Sequence, residues 1–230
     1  MKRIIVSLAV DKGSSDRYQR AIKRLRRSVH ANSSIDSRFY INKYPDGCPT
    51  HQDINYAFKP YIVKLLFDEG YDQVLWIDSA IVVKKDLKPV WDIIDKQGYY
   101  LQLNGWTPGE WMTDKSLELM GVTRDAACKM LLCMANVMGF DKNDAICMLY
   151  FNRWLKYSKV KDIFSGPWSN KNNECSKDPR CLGHRHDQSV ASIIAAQMDF
   201  YFTDCSKGLL IYGKPEAKET EGYIFVAAGA

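Results

Sequence analysis

The feature that most constrains the fold of this chain is an apolar run that ends in a carboxylate. Residues 71–80 read YDQVLWIDSA and follow a helical pattern that closes at Gly70. A short apolar run directly after a helix and a glycine predicts a buried parallel strand. Because open α/β sheets bind ligands beyond the carboxyl ends of such strands, we expect Asp78 to lie where a site is usually built.

The segments before this strand alternate between strand and helix patterns. A first strand is predicted at residues 3–10, a second at 37–41, and a helix at 56–69. Between the two strands, apolar residues recur at helical spacing, at Tyr18, Ile22, Leu25 and Val29. This order predicts an α/β fold with a largely parallel sheet covered by helices.

The rest of the chain continues with further elements and one long loop. An apolar triplet at 81–83 is followed by strands predicted at 99–104 and 199–203. Helices are predicted at 86–94, 113–133, 143–158 and 187–197. Residues 165–185 are rich in Gly, Pro, Asn and charged side chains, which is typical of a functional or mobile loop. Residues 224–228 form either a last strand or a tail that folds back.

The composition is that of a globular protein with a full hydrophobic core. Of the 230 residues, 46% are hydrophobic, which suits one domain that spans residues 1–230. The net charge of +5 is mild, so no nucleic-acid partner is expected. Four arginines share one helix face, which is either solvated or an approach for an anionic ligand: Arg17, Arg20, Arg24 and Arg27.

The cysteines and the hydropathy bear on location. The seven cysteines are odd in number and lack CxxC spacing, so neither a zinc site nor a complete disulfide framework is indicated. Reduced thiols in an intracellular protein fit this pattern best. No segment approaches the roughly 20 apolar residues needed to cross a bilayer, and the short apolar start predicts a strand, not a signal peptide. We therefore expect a soluble, cytoplasmic protein without a transmembrane segment.

A second polar cluster precedes the last predicted helix. Residues 178–189 read DPRCLGHRHDQS and combine two imidazoles, two guanidiniums, two carboxylates and an amide. Because helix N-termini favour anions, this cluster is suited to a polar ligand. For Asp187 alone, the alternative interpretation is a helix N-cap.

Three shorter motifs add candidate contacts, each with a structural alternative. Asp78 suits a divalent cation or a ribose hydroxyl, or it caps the following turn. Residues 104–111 read NGWTPGEW, and the two indoles beside hydrogen-bonding groups suit sugar rings, or they fill the core. Lys59, in the motif YAFKP at 56–60, is either a solvated lysine or a group that reaches a phosphate.

In their order along the chain, these features resemble the GT-A glycosyltransferases, which use nucleotide-diphosphate sugars. WIDSA at 76–80 stands in the place of the family's DxD segment, and HDQS at 186–189 is similar to its late HDQ segment. With YAFKP, GEW and GHRHDQS, the chain also resembles small bacterial and viral glycosyltransferase-like proteins. The resemblance implies a Rossmann-like αβα sandwich with a mainly parallel central sheet. It further implies that residues 1–104 bind the nucleotide sugar and that 105–230 face the acceptor.

The same resemblance implies a reaction and a set of contacts. A hexosyl or pentosyl group would move from a nucleotide-diphosphate sugar, with a UDP-sugar as the expected donor, to a hydroxyl of a glycan or another acceptor. Donor contacts are expected at Ala9, Val10, Asp11, Lys59, Asp78, Ser79, His186 and Gln188. Sugar or acceptor contacts are expected at Asn104, Trp106, Trp111 and Arg185.

The resemblance also implies catalytic roles. In an inverting enzyme, Asp187 or Glu110 would be the general base that deprotonates the acceptor hydroxyl. A retaining enzyme needs no base in that place, and the sequence does not choose between the two. A non-catalytic nucleotide-sugar or carbohydrate-binding module on the same fold is the alternative function.

A divalent cation is the implied cofactor. Asp78, by holding Mn²⁺ or Mg²⁺, would help to neutralise the departing diphosphate. The second Asp of DxD is Ala80 in this chain, so the expected ligands are Asp78 with His184 or His186. Whether a metal is required stays open at this point.

Overall fold

A five-stranded sheet forms the centre of the protein. The computed structural model describes residues 1–11, 13–206 and 208–229. Its strands are β1 (Arg3–Ala9), β2 (Asp36–Ile41), β3 (Gln73–Ile77), β4 (Ile81–Val83), β5 (Tyr99–Leu103), β6 (Cys133–Asp141), β7 (Leu210–Tyr212) and β8 (Phe225–Ala227). The central sheet has the order β2-β1-β3-β6-β5. β1 pairs in parallel with β2 and β3, and β6 is antiparallel to β3 and β5. Within the central sheet, all strands except β6 therefore run in the same direction.

Helices cover both faces of this sheet. They are α1 (Arg17–Asn32), α2 (Phe58–Asp68), α3 (Lys88–Gln97), α4 (Asp114–Leu119), α5 (Arg124–Ala127), α6 (Ala145–Tyr157), α7 (Lys161–Phe164) and α8 (His186–Gln197). α2, α6 and α8 pack on the face that carries Trp76 and Met138. α1, α3 and a small sheet of order β4-β8-β7 pack on the face that carries Leu75 and Val137. The predicted αβα sandwich with a mostly parallel sheet is confirmed.

The first helix follows directly from its sequence pattern. Its buried residues are Ala21, Ile22, Leu25 and Val29, which form one stripe along a helix of 16 residues. Of the four arginines on the predicted basic face, Arg24 is half-buried and the other three are exposed. This arrangement agrees with the interpretation of a solvated helix surface.

One helix prediction for the second half of the chain is wrong, and one strand there has no prediction. Residues 113–133 do not form one helix, because Thr113 and Thr123 start two short ones, α4 and α5, by accepting hydrogen bonds from backbone N–H groups. The segment that follows is β6, where no strand is predicted. It is buried along nearly its whole length, so it lacks the alternation that marks a half-exposed strand.

The remaining strand predictions have different outcomes. Residues 199–203 do not form a strand, and within them Thr203 makes an isolated parallel bridge to Gln102. Residues 224–228 do contain a strand, β8, which pairs with β4 and β7 in the small sheet. β6 lies between β3 and β5, so residues 1–104 and 105–230 both contribute to the central sheet. The assignment of the donor to one part and the acceptor to the other stays a prediction.

Two structural facts relate to location. The seven cysteines are all free, and five of them are buried. Across the described residues, no helix has both the length and the apolar character that crossing a bilayer requires. The cytoplasmic location stays a prediction.

Candidate active site

A solvent-open cleft lies beyond the carboxyl end of β3. Asp78 follows β3 and Asn104 follows β5, so these residues lie at the same edge of the sheet. α8 contributes two residues from its first turn. In total, six of the predicted site residues line the cleft: Lys59, Asp78, Asn104, Arg185, Asp187 and Gln188. Residues far apart in the sequence therefore meet at the sheet edge where ligands are expected.

Lys59 lies at the centre of a polar cluster in this cleft. It is the second residue of α2, and its side chain is only 2% exposed. Its Nζ atom donates to Ala135 O at 2.8 Å and lies 2.8 Å from Asp187 Oδ2 and 3.0 Å from Asp78 Oδ1. The ammonium thus donates one hydrogen bond to a backbone carbonyl and forms ion pairs with two carboxylates. Lys59 is therefore not a solvated lysine, and it connects α2, β6, α8 and the end of β3.

The charges of this cluster influence one another. Burial lowers the pKa of Lys59, but the carboxylates of Asp187 and Asp78 outweigh burial, and the net direction is upward. Lys59 is therefore an ammonium at neutral pH. Burial raises the pKa of Asp187 to about 6, although the nearby Lys59 acts against this rise. The Asp187 carboxylate is thus a stronger base than an ordinary aspartate.

Asp78 uses only part of its hydrogen-bonding capacity within the protein. Its Oδ1 atom accepts from Trp76 Nε1 at 2.7 Å and contacts Lys59, and the side chain is 32% exposed. Its Oδ2 atom accepts no hydrogen bond from any of the described residues. This oxygen is therefore available to a ligand hydroxyl in the cleft.

Arg185 is held against two indole rings at the side of the cleft. Its Cζ atom lies 3.9 Å from the ring centroid of Trp111 and 5.1 Å from that of Trp168. No carboxylate within the described part of the chain pairs with it or perturbs its pKa, which burial lowers. Stacking fixes the plane of a guanidinium and leaves its edge free, so this side chain is positioned to bind an anion.

The backbone at the cleft contains two uncommon conformations. Tyr56 has φ of 60° and His186 has φ of 50°, in the left-handed region that non-glycine residues rarely adopt. Their rings lie 5.5 Å apart, and His186 directly precedes Asp187. Each such conformation costs about 1–3 kcal/mol and is typical of functional sites.

The structure places two predicted carboxylates outside the lining of the cleft. Glu110 Oε2 accepts from the backbone N and the Oγ1 of Thr107, both at 2.8 Å, and so stabilises its own turn. Asp11 accepts from the backbone N of Tyr18 at 2.7 Å and of Gln19 at 2.9 Å, and so caps the first turn of α1. Both oxygens of Asp11 and one oxygen of Glu110 therefore have structural contacts. Four further predicted donor contacts also lie outside the lining of the cleft: Ala9, Val10, Ser79 and His186.

The two predicted indoles lie behind or beside the cleft lining. Trp111 uses one ring face to support Arg185, which is a role that its motif does not indicate. Trp106 meets Trp111 edge-on at 5.9 Å and is 48% exposed. Trp106 therefore does not fill the core, and a sugar platform stays a prediction for it.

The residues present do not fit a Mn²⁺ or Mg²⁺ site. Within the described residues, no group of three or more His, Cys, Asp or Glu side chains is arranged to hold a metal ion. Burial lowers the pKa of His184 to about 3 and that of His186 to about 4, so both imidazoles are neutral at pH 7. Neutral imidazoles ligate metals, but the carboxylate of Asp78 that would join them contacts Lys59 instead.

The cleft also contains residues that the sequence motifs do not single out. Trp168 lines the cleft and lies in the polar loop at 165–185. A large aromatic residue in an otherwise polar loop is the one sequence signal that could have identified it. Asn136 and Ala135 lie on β6, the strand that is not predicted. Tyr212 comes from β7 in the small sheet, and its position depends on tertiary structure alone.

Comparison with known proteins identifies the fold. No protein-family model and no curated protein matches this sequence. The structure of apo mouse xyloside xylosyltransferase 1 matches with a TM-score of 0.56 and 9% identity, over 99% of this chain and 97% of that chain. A glycosyltransferase involved in the glycosylation of the major capsid of PBCV-1 matches with a TM-score of 0.50 and 14% identity, over 98% of this chain and 92% of that chain. The resemblance indicated by the sequence motifs is confirmed at the level of architecture: the chain has the fold of these glycosyltransferases.

Proposed function

We propose that this protein is a glycosyltransferase that moves a sugar from a nucleotide-diphosphate donor to a hydroxyl of an acceptor. The observation that carries the proposal is the cleft at the sheet edge, where a buried ammonium joins two carboxylates beside a guanidinium without a carboxylate partner. This set supplies a proton acceptor and a positive group for the leaving diphosphate, which a transfer with inversion uses together. The fold shared with two glycosyltransferases supports the same proposal.

Asp187 is the proposed general base. During transfer, the bond between the anomeric carbon and the diphosphate oxygen breaks, and its electron pair leaves with the diphosphate. The acceptor oxygen forms the new bond, and its proton passes to Asp187. This carboxylate lines the cleft, and its raised pKa of about 6 is close to neutral pH, which suits general-base catalysis. Glu110, the other candidate, lies outside the lining of the cleft, and its Oε2 atom accepts from Thr107.

Polar groups around the base are the proposed donor and acceptor contacts. The free Oδ2 atom of Asp78 and the amides of Asn104 and Gln188 face hydroxyl groups of the bound sugar or ribose. Trp106, at the exposed rim, is the proposed platform for an acceptor sugar. A UDP-sugar is the first donor to test.

Donor screening followed by a turnover assay tests the proposal. The full chain is incubated with UDP-, GDP- and dTDP-sugars, with and without Mn²⁺, and its melting temperature is recorded. Donors that raise the melting temperature are then assayed for release of nucleoside diphosphate, alone and with hydroxyl acceptors. We expect stabilisation by at least one donor and slow hydrolysis that an acceptor accelerates.

The outcomes separate the two candidate functions. Donor binding without any turnover, even with acceptors present, would favour the non-catalytic module. Failure of every donor to bind would contradict both functions. Asp68→Asn is a matched control for carboxylate variants of the cleft, because Asp68 is an exposed α2 residue that pairs with Lys64 on the same helix.

A further inference from the structure

The position between the two cleft carboxylates is already filled by a cation. Lys59 Nζ lies within 3.0 Å of Asp78 Oδ1 and 2.8 Å of Asp187 Oδ2, and Ala135 O is a third oxygen at 2.8 Å. Three oxygen ligands, two of them from carboxylates, are what a bound magnesium or manganese ion would use. The ammonium is buried, donates to Ala135 O and forms ion pairs with both carboxylates, so it is a fixed part of the site.

A divalent cation and this ammonium compete for the same carboxylates. A metal ion that shared Asp78 with Lys59 would lie within a few ångströms of a positive charge that cannot move into water, and like charges repel strongly in a buried site. Ala80 removes the second carboxylate that would compensate for this repulsion. The lysine is also packed beside the rings of Tyr56 and Trp76, at 5.2 Å and 5.7 Å from their centroids, which further stabilises its charge.

Arg185 supplies the positive charge that the diphosphate needs. It is half-buried at the wall of the same cleft, stacked on Trp111 and near Trp168, and no carboxylate of the described residues neutralises it. A planar guanidinium donates pairs of hydrogen bonds that match phosphate oxygens. Lys59 differs in this respect, because its buried ammonium is already paired with two carboxylates of the protein.

We propose that this site works without a divalent cation, with the Lys59 ammonium as its permanent counter-ion and the Arg185 guanidinium as the group that binds the diphosphate. The inference rests on the proposed function, since it assumes a nucleotide-diphosphate donor. It replaces the metal expected from the sequence by two side chains with separate tasks. Lys59 holds the carboxylates in place, and Arg185 stabilises the leaving group.

Calorimetric titration of the full chain with UDP, GDP and dTDP, in EDTA and in Mn²⁺, tests the proposal. We expect at least one nucleoside diphosphate to bind with an affinity that EDTA does not change. Arg185→Gln should weaken that binding about tenfold to a hundredfold, the loss typical of hydrogen bonds to a charged group. Arg180→Gln is the matched control, because Arg180 lies in the same loop but pairs with Asp178 and Asp125 at the surface.

The possible results separate failure of this inference from failure of the proposed function. Binding that requires Mn²⁺ overturns the inference and leaves the proposed function intact. Metal-free binding that Arg185→Gln does not weaken overturns the role of Arg185. If none of the three nucleotides binds in either condition, the proposed function fails and the inference fails with it.

A second variant tests the role of Lys59 without any nucleotide. Lys59→Ala frees two carboxylates and a carbonyl oxygen, so we expect it to gain Mn²⁺ binding that is measurable by electron paramagnetic resonance, whereas the wild type and the exposed-lysine control Lys64→Ala do not bind. A folded Lys59→Ala variant without Mn²⁺ binding, or a wild type that binds Mn²⁺ as tightly as the variant, contradicts the proposal. If the variant does not fold, the Mn²⁺ titration of the wild type still decides.

Discussion

The two ends of β3 each hold a buried polar cluster, and the clusters have different centres. At the start of the strand, the centre is the neutral amide of Gln73. Its Nε2 atom donates to Asp141 Oδ2 at 2.8 Å and to Asp95 Oδ1 at 3.0 Å, and its Oε1 atom accepts from Arg3 Nε at 2.8 Å. At the far end of the strand, the centre is the charged side chain of Lys59.

This difference separates a structural cluster from a candidate site. Both N–H groups and the oxygen of Gln73 are used within the protein, so the cluster at the start of β3 has no central group left for a ligand. In the cleft, Asp78 Oδ2 accepts no hydrogen bond within the described chain, and Arg185 lacks a carboxylate partner there. Unused acceptors and donors that converge on a cleft are the mark of a binding site.

The largest effect is expected for the proposed base at the cleft end. Asp187→Asn should lower the transfer rate about 10²- to 10⁴-fold, because an amide does not accept the hydroxyl proton. Release of nucleoside diphosphate measures the rate. The matched change at the other end of β3, Asp141→Asn, should leave the rate unchanged. A full transfer rate in Asp187→Asn would remove this residue as the base.

The second prediction compares the two centres by stability. Lys59→Met should reduce the free energy of unfolding by about 3–5 kcal/mol, because it leaves two carboxylates in the cleft without their buried counter-charge. Urea denaturation gives this value. A loss below about 1 kcal/mol would mean that water already compensates these carboxylates, as it does for surface ion pairs.

A smaller loss is expected at the neutral centre. Gln73→Leu should reduce the free energy of unfolding by about 1–3 kcal/mol, because it leaves the buried Asp141 carboxylate and the half-buried Arg3 guanidinium without this partner. Nucleotide affinity should not change, and a titration of the same variant checks this. Weaker nucleotide binding in Gln73→Leu would show that the two ends of β3 are coupled.

The smallest expected effect is on the pH dependence of the free energy of unfolding, and its source is His184, at the cleft end of the molecule. The pKa of buried His184 is lowered to about 3, so the unfolded chain takes up the proton first as the pH falls below 6.5. The stability present above pH 6.5 is therefore lost progressively toward pH 3, by about 1 kcal/mol between pH 6.5 and 5.5.

Urea denaturation of the wild type and of His184→Gln at both pH values isolates this contribution. The variant should lose about 1 kcal/mol less than the wild type over the interval. The raised pKa of Asp187 acts in the opposite direction, but it is common to both proteins and cancels in the comparison. Equal losses in the two proteins would exclude His184 as the source.

Local patterns predicted the first part of the fold well and the second part less well. From β1 to β3, strands and helices alternate with clear hydrophobic periods, and each predicted element is present. β6 was missed because Met134, Ala135 and Met138 favour helices and because a strand covered on both faces has no alternation. Its position between β3 and β5 depends on contacts with distant segments, which local patterns do not encode.

For the candidate site, too, local patterns predicted some residues correctly and others wrongly. The motifs around Lys59, Asp78 and Asp187 identified residues that do meet in one cleft. The same kind of reasoning also selected Glu110 and Asp11, which accept hydrogen bonds in a local turn and at a helix start. In the sequence, a carboxylate that lines a cleft cannot be distinguished from one that caps a turn. The difference lies in the hydrogen-bond partners, which only the folded backbone determines.

From the sequence alone, one could conclude that the chain builds an α/β sheet and that Asp78 ends a central strand, because hydrophobic period and turn residues are local properties. The folded chain was needed to show that Lys59 lies between Asp78 and Asp187, and that Arg185 stacks on Trp111. These contacts join segments that are distant in sequence. The pKa of each group depends on its own burial and on the charges around it, and both follow from the folded structure. For that reason the sequence motifs predicted a metal ion beside Asp78, whereas the structure places the Lys59 ammonium there.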